Sequence, residues 1–419
     1  MQGGIIPLHG RIKRVVLTGT KREGESSQHM KMQRKILEKI FRAVKQPVLV
    51  IALFSAVFNL HAVAAQPARA DAAEAAMKMV NFTVDAKAEL DMQAAAELVD
   101  YVLAKKPYSQ SALPKNLEAS GAYYEFDTRI DFSSFMQYAY SGQIPAVLTS
   151  PSSLRHSQWN AQKKKHEKLP DKWTPVAAGG RPFVIRGVQR DAITPDLNTG
   201  IYYEYDLNRA LIQMNHKGRQ VLITISKQMD ISQVGKKGLI LGNDEDWNYY
   251  YSDETGSART GLGWVKSYIY DYFSVAVYVE TGSSPAVLKT GIFQWLRAGW
   301  NGINFVQSDH IITGIKRYAK NSKTVLESSD LPAPAHIARA YSRLSSLPHQ
   351  DLLDKYTQLQ QARLELAVQT GKINGGKLQK NNYQSVPKDQ IVEELMLEYL
   401  KVALGKPSLV GRKVASAIN

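Results

Sequence analysis

Cysteine is absent from the 419-residue chain. Its absence excludes disulfide bonds, thiolate zinc sites, iron–sulfur clusters, cysteine nucleophiles and a lipidated N-terminal cysteine. The sequence also lacks the HExxH metal motif, the Gly-x-Ser-x-Gly nucleophile motif and paired histidines at metal-ligand spacing. The sequence therefore predicts no catalytic residue, no metal site and no cofactor, and it favours a non-enzymatic protein.

Long apolar runs are also lacking. The longest, Val48–Leu60, has 13 residues, fewer than the roughly 20 that a membrane-spanning helix needs. A basic segment, Arg34–Lys45, precedes this run and the small residues Ala62-Val63-Ala64 follow it. This is the order of a cleaved secretory signal peptide. We expect cleavage near Ala64, a mature chain without a transmembrane segment, and a periplasmic or secreted location.

The polar stretch before the signal is long for the start of a signal peptide. It predicts that translation begins at Met30 or Met32. The leader also carries much of the net charge of +15, because residues 1–64 hold 11 basic and 3 acidic side chains, whereas residues 65–419 hold 42 and 35. No basic stripe accompanies the remaining net charge of +7, so no nucleic-acid partner is predicted.

Hydrophobic patterning divides the chain into four parts. The leader spans residues 1–64, and a helical N-terminal segment spans 65–118, where apolar residues between Leu90 and Val102 recur at helical spacing. An antiparallel sheet followed by a long helix spans 119–328. A helical extension, expected to contain helices near 335–346, 350–370 and 387–404, spans 329–419.

The sheet is predicted from strand patterns that begin at Gly121. A short helix capped by Asp131 or Ser133 follows the first strand, and residues 151–180 read as a loop. Short connections with Gly, Asn and Asp then favour an antiparallel meander. Helical spacing of apolar residues predicts one long helix within 288–328. The remaining predicted strands are residues 181–190, 200–207, 219–228, 246–252 and 264–280.

The segment Gly261–Glu280 is apolar or aromatic in both registers of a strand. Val265, Ile269 and Phe273 share one register, and Tyr268 and Tyr272 share the other. Such a strand is expected to be covered on both faces.

The order of strand, short helix, antiparallel strands and long helix resembles the helix-grip arrangement of START and Bet v1-like carriers of lipids and small molecules. The resemblance covers residues 121–327 and concerns element order only, so no family residues are transferred. It implies an α+β fold in which a long C-terminal helix covers a curved antiparallel sheet, with added N- and C-terminal helices. It also implies a cavity between sheet and helix.

Aromatic residues on the predicted strands and helix are the candidates for lining such a cavity, because tyrosine and tryptophan combine apolar area with a polar atom. Packing of the same rings into a solid core is the competing interpretation. The candidate ligand-binding residues are Tyr203, Tyr205, Trp264, Tyr268, Tyr270, Tyr272, Trp295, Arg297 and Trp300.

The sequence therefore predicts an exported soluble protein that binds an apolar or amphipathic, lipid-like ligand between sheet and helix. A structural or interaction protein of the cell envelope, contacting an envelope partner through helices in 335–419, is the first alternative. A hydrolase with an unrecognised site is the second.

Overall fold

A computed structural model describes residues 67–85, 87–160, 168–259, 263–373 and 383–410. The leader, with its signal peptide and with Met30 and Met32, lies outside the described residues. The described chain is an α+β fold with a large antiparallel sheet and seven helices. Within these ranges, no helix has both the length and the apolar character needed to cross a membrane.

The three C-terminal helices begin and end close to the positions expected from sequence, and the N-terminal helical segment contains two helices. Asp91 and Asp131 each cap a helix by accepting a hydrogen bond from the backbone N–H three residues later. In chain order the helices are α1 (Pro67–Val84), α2 (Met92–Leu103), α3 (Phe132–Tyr140), α4 (Ser308–Leu326), α5 (Pro334–Ser346), α6 (His349–Gln369) and α7 (Lys388–Ala403).

The large sheet has the strand order β1-β2-β13-β12-β7-β6-β4-β3, with β14 paired to β13. Its strands are β1 (Gln110–Asn116), β2 (Ala119–Thr128), β3 (Leu154–Asn160), β4 (Phe183–Ile193), β6 (Glu204–His216), β7 (Arg219–Gln228), β12 (Tyr268–Ser283), β13 (Ala286–Trp300) and β14 (Ile303–Asn304). Smaller sheets contain β5 (Ile201–Tyr202), β8 (Lys236–Ile240), β9 (Tyr249–Thr255), β10 (Ser257–Arg259) and β11 (Gly263–Val265).

Both faces of the large sheet are buried, which explains the two apolar registers of β12. On the first face, Phe273, Val275 and Val277 pack in one cluster with buried residues of α1 and α2. On the second face, Ala276 and Tyr278 pack in another cluster with buried residues of α3 and α4. Alternate residues of one strand thus serve two separate cores.

Three sequence predictions in this region are wrong. Residues 286–300 form β13 and not the first half of a long helix, so the only helix within 288–328 of the described chain is α4. The predicted meander placed residues 246–252 beside residues 219–228. Strand β9 belongs to a small sheet, however, and β7 pairs with β12 in the large sheet. The predicted loop 151–180 contains β3, an edge strand of the large sheet.

The C-terminal helices α5 to α7 form a third core with Trp247 and Tyr249. Helix α7 also carries buried carboxylates, and Glu394 lies between two arginines. Glu394 accepts a 2.9 Å hydrogen bond from Arg155 of β3 and another from Arg363 of α6. Charges removed from water need such partners, so this ion cluster fixes α7 against both elements.

Close packing of α2 on the first face depends on Gly291 of β13. A Cβ at this position would lie 2.4 Å from Val102 Cγ2 and 2.9 Å from the Tyr123 hydroxyl. We expect Gly291→Ala to lower the free energy of unfolding by about 1–3 kcal/mol because the helix must shift. Urea denaturation measures the change.

The control for this substitution is Gly314→Ala in α4. Apart from its chain neighbours and the backbone of its own helix, no atom lies within 4 Å of a Cβ placed at Gly314, and alanine favours a helix over glycine. This variant should be as stable as the parent or more stable. Equal destabilisation by both substitutions would contradict the packing described for α2.

The Glu394 cluster makes the fold sensitive to acid. Although burial opposes ionisation, Arg155 and Arg363 hold the pKa of Glu394 at about 2, below its usual 4.5. Its contribution to the free energy of unfolding is therefore complete above pH 4.5 and is lost as the pH falls from 4.5 to about 2. Glu394→Gln should cost about 3–5 kcal/mol at pH 7, since two buried arginines lose their carboxylate.

Urea denaturation at pH 7 and at several pH values below 4.5 tests this expectation. The stability difference between parent and Glu394→Gln should shrink as the pH falls. Glu365→Gln, the same change at an exposed position of α6, is the control and should leave stability within about 0.5 kcal/mol of the parent. A difference that stays constant down to pH 2 would contradict the assigned role.

Candidate functional site

A cavity of about 350 Å³ lies between the second face of the sheet and helices α3 and α4. Strands β4, β6, β7, β12 and β13 supply its floor, and residues 146–154 contribute a side wall. Tyr140 at the end of α3 and Ile315 and Tyr318 of α4 line it on the opposite side.

The floor of the cavity is formed by small side chains in the centre of the sheet. Thr224 and Ser226 of β7 and Ser274 of β12 make a hydroxyl band, and Ala276 continues it along β12. Ser226 is opposite Ser274 in the strand register, and Thr224 is opposite Ala276. These short side chains leave open space where leucine or phenylalanine would fill the second face.

Aromatic side chains surround the hydroxyl band. The rings of Tyr205 and Tyr272 lie 5.8 Å apart at one end of the cavity, and Tyr278 contacts Tyr140 at another. Burial raises the pKa of Tyr205, Tyr272 and Tyr278, and it raises the pKa of Tyr318 to about 12. All four hydroxyls are therefore neutral near pH 7 and can both donate and accept hydrogen bonds.

Charged groups lie at the same end as Tyr205. Asp191 of β4 is opposite Tyr205 in the register and only 5% exposed. Its Oδ1 accepts 2.7 Å hydrogen bonds from the Ser157 hydroxyl and the Gln189 amide. Burial raises the pKa of Asp191, although the bond from Gln189 and the charge of Arg209 oppose the rise.

Arg209 of β6 is the cation nearest to the hydroxyl band. It donates a 3.0 Å hydrogen bond from an NH group to Ser226. Its buried Nε has no hydrogen-bond partner within the described chain. The cavity thus presents the guanidinium groups of Arg209 and Arg317, several hydroxyls and an apolar wall.

Trp159 of β3 forms another part of the wall, and its position requires a glycine. A Cβ on Gly187 of β4 would lie 2.4 Å from the Trp159 ring. Because Gly187 has no side chain, the indole lies directly against β4 and reaches the cavity.

The cavity has a volume of about 350 Å³ and is open to solvent on part of its boundary. A polar floor allows water or a ligand to occupy the space and to hydrogen-bond with it. The site is therefore chemically suited to a small molecule with both polar and apolar parts.

Two of the residues predicted from sequence line this cavity, Tyr205 and Tyr272. They come from β6 and β12, which are not neighbours in the sheet, and their rings meet across β7. A third, Tyr203, does not line the cavity and donates a 3.0 Å hydrogen bond to Ser267.

Tyr268 and Tyr270 contact each other at the start of β12, away from the cavity lining, with ring centroids 6.2 Å apart. The Tyr270 hydroxyl accepts a 2.8 Å bond from the Gly302 N–H. A break in the strand register between Ile269 and Asp271 separates these two tyrosines from Tyr272. The alternation that places Tyr272 on the second face therefore does not extend back to them.

Trp295, Arg297 and Trp300 lie on β13 and not on a helix. Trp295 is buried on the first face and stacks on Phe273 at 5.4 Å. Arg297 pairs with Asp271 at 3.4 Å. None of the three lines the cavity, and the proposal that they bind a ligand stays a prediction.

Trp300 stacks on Phe305 with ring centroids 4.0 Å apart. The side chain of Trp264, the last predicted site residue, lies outside the described residues.

Sequence reasoning missed Asp191, Arg209 and the hydroxyl band. A signal for the band is present in β7, where Val221, Ile223 and Ile225 alternate with Leu222, Thr224 and Ser226. The second register becomes polar halfway along the strand. No pattern in the neighbouring sequence identifies Arg209, because its role depends on β4 and β12, which lie near it only in the folded chain.

Comparison of the chain with known proteins finds no matching family model, curated protein or solved structure. In the described part of the chain, no group of three or more histidine or acidic residues is arranged to hold a metal ion.

Asp191 should destabilise the fold when ionised, in contrast to Glu394. Because its pKa is raised in the folded chain, the free energy of unfolding should fall as the pH rises from about 4 through the folded pKa. Asp191→Asn keeps an oxygen for Ser157 and Gln189 but removes the charge. We expect this variant to be at least as stable as the parent at pH 7 and no more stable at pH 3.

Thermal or urea unfolding across this pH range provides the measurement. Asp206→Asn, at a position of β6 where the side chain is 47% exposed, is the control. A variant of Asp191 that loses several kcal/mol at pH 7, while the control does not, would show that the ionised carboxylate stabilises the fold.

Proposed function

We propose that the chain is an exported binding protein that holds a small amphipathic molecule between its sheet and helices. The observation that carries the proposal is the cavity, with a hydroxyl floor and an aromatic wall. Export is proposed from the basic segment, apolar run and small residues that end at Ala64.

A helix-grip arrangement, as in START and Bet v1-like carriers, is part of this proposal. In support, α3 follows β2, and α4 follows β13 and packs Ile311, Ile312 and Ile315 in the cluster of the second face. The cavity lies on this same face. Helices α1 and α2 on the opposite face, and α5 to α7 beyond α4, are then additions to such a core.

The size of the cavity limits the ligand. A volume of about 350 Å³ is at the lower end of the roughly 300–1,000 Å³ of typical ligand pockets. It favours a molecule with one short chain or a ring system over a phospholipid with two long chains. Leu211, Ala276 and Ile292 offer apolar contacts for such a group.

The two alternative functions remain predictions. A role as an envelope interaction protein would use the exposed polar side of α6, while α7 is buried by contacts within the chain. No observation in the described residues favours a particular hydrolytic reaction.

Native mass spectrometry and solvent extraction of the protein purified from its source test for a bound small molecule. Titration of the extracted protein with the uncharged fluorophore N-phenyl-1-naphthylamine should show saturable binding at one site. Ala276→Leu should weaken this binding about tenfold or more, because the larger side chain occupies the floor, and about 1.4 kcal/mol suffices for a factor of ten.

Ala112→Leu is the matched control, since it makes the same change at an exposed position of β1 outside the cavity. It should bind the fluorophore as the parent does. A protein that carries no extractable molecule and shows no saturable binding would overturn the proposed function. Equal weakening by both variants would place the fluorophore outside the cavity and count against it as well.

A further inference from the structure

Arg209 carries a charge that the cavity does not neutralise at short range. Within the described residues, no carboxylate oxygen lies within 4 Å of its guanidinium, whereas Arg155, Arg297, Arg317 and Arg363 all have such a partner. Its single hydrogen bond goes to Ser226, and its buried Nε has none. A half-buried guanidinium without a carboxylate partner can be neutralised by a ligand of opposite charge.

The groups around Arg209 do not replace that counter-charge. Asp191 acts on it electrostatically from beyond salt-bridge distance and already accepts bonds from Ser157 and Gln189. Tyr205 and Tyr272 are neutral hydroxyls, and Ser226 and Ser274 are uncharged. The other arginine that lines the cavity, Arg317, is held by Asp244 through a 2.8 Å bond from Nε.

We propose that the ligand is a monocarboxylate whose head group binds Arg209 beside the hydroxyl band and whose apolar part lies against Leu211, Ala276 and Ile292. This inference rests on the proposed function and names the chemical class of its ligand. A guanidinium binds a carboxylate through two parallel hydrogen bonds, and the two terminal NH₂ groups of Arg209 can provide that geometry, because the one that bonds Ser226 keeps a second N–H. The serine and tyrosine hydroxyls can donate to the same oxygens.

One unpaired guanidinium matches one negative charge. A phosphate monoester carries more negative charge near pH 7 and would meet the nearby carboxyl of Asp191 with only one cation to balance it. A quaternary ammonium head would place a second positive charge beside Arg209. The arrangement therefore selects a carboxylate over either of these head groups.

Four probes with the same ten-carbon chain separate these head groups: decanoate, decanol, decyl phosphate and decyltrimethylammonium. Each is titrated into the extracted protein by displacement of N-phenyl-1-naphthylamine or by calorimetry. Decanoate should bind most tightly. Arg209→Met should weaken decanoate about ten- to a hundredfold, since a hydrogen bond to a charged group contributes roughly 1.5–3 kcal/mol.

The same variant should change decanol binding less than threefold, which shows that the cavity remains formed. Arg190→Met is the control, because it removes the same charge. Arg190 precedes Asp191 on β4, is exposed and does not line the cavity. It should leave decanoate binding unchanged.

The outcomes separate this inference from the proposed function. If decanol binds the parent as tightly as decanoate does, or if Arg209→Met leaves decanoate binding intact, the carboxylate assignment is overturned while the binding function stands. Tighter binding of decyl phosphate or of decyltrimethylammonium also overturns it. If none of the probes binds, and the fluorophore does not bind either, the proposed function itself fails.

Discussion

Burial of both faces of one antiparallel sheet is the constraint on which the architecture depends. Antiparallel sheets often expose one face to water, but β12 places Val275 and Val277 in one core and Ala276 and Tyr278 in another. Each core needs its own helical layer. The chain supplies α1 and α2 before the first strand and α3 and α4 around the remaining ones.

The cavity is a local departure from that close packing. Where the second face could be filled by large apolar side chains, it has Thr224, Ser226 and Ser274. The aromatic rings around them are held in place by their own contacts, such as that between Tyr205 and Tyr272. Residues that are small and polar at the centre of a buried sheet contribute little to stability, and this makes them the most informative positions for function.

The sequence was sufficient to predict what depends on local patterning. Helices α2 and α5 to α7 follow from periodicity, and side-chain chemistry close in sequence narrowed the cap of α3 to Asp131 or Ser133, of which the structure has Asp131. Strand β13 was mistaken for a helix because both of its faces are buried, so its apolar residues Ile292, Phe293, Trp295 and Leu296 show no alternation and match helical spacing equally well. The site could be predicted only in part: two tyrosines were identified, whereas Arg209 acquires its surroundings from strands distant in sequence.

The buried carboxylates of α7 have a consequence for association between chains. Strand β3 ends the order of the large sheet, and the backbone N–H of Ser157 within it donates a 2.9 Å bond to Glu393. Unpaired amides on the last strand of a sheet are a template for pairing with a strand of another molecule. Because a side chain of α7 occupies this amide and His156 binds the same carboxylate, the helix disfavours pairing of another strand at this part of the β3 edge.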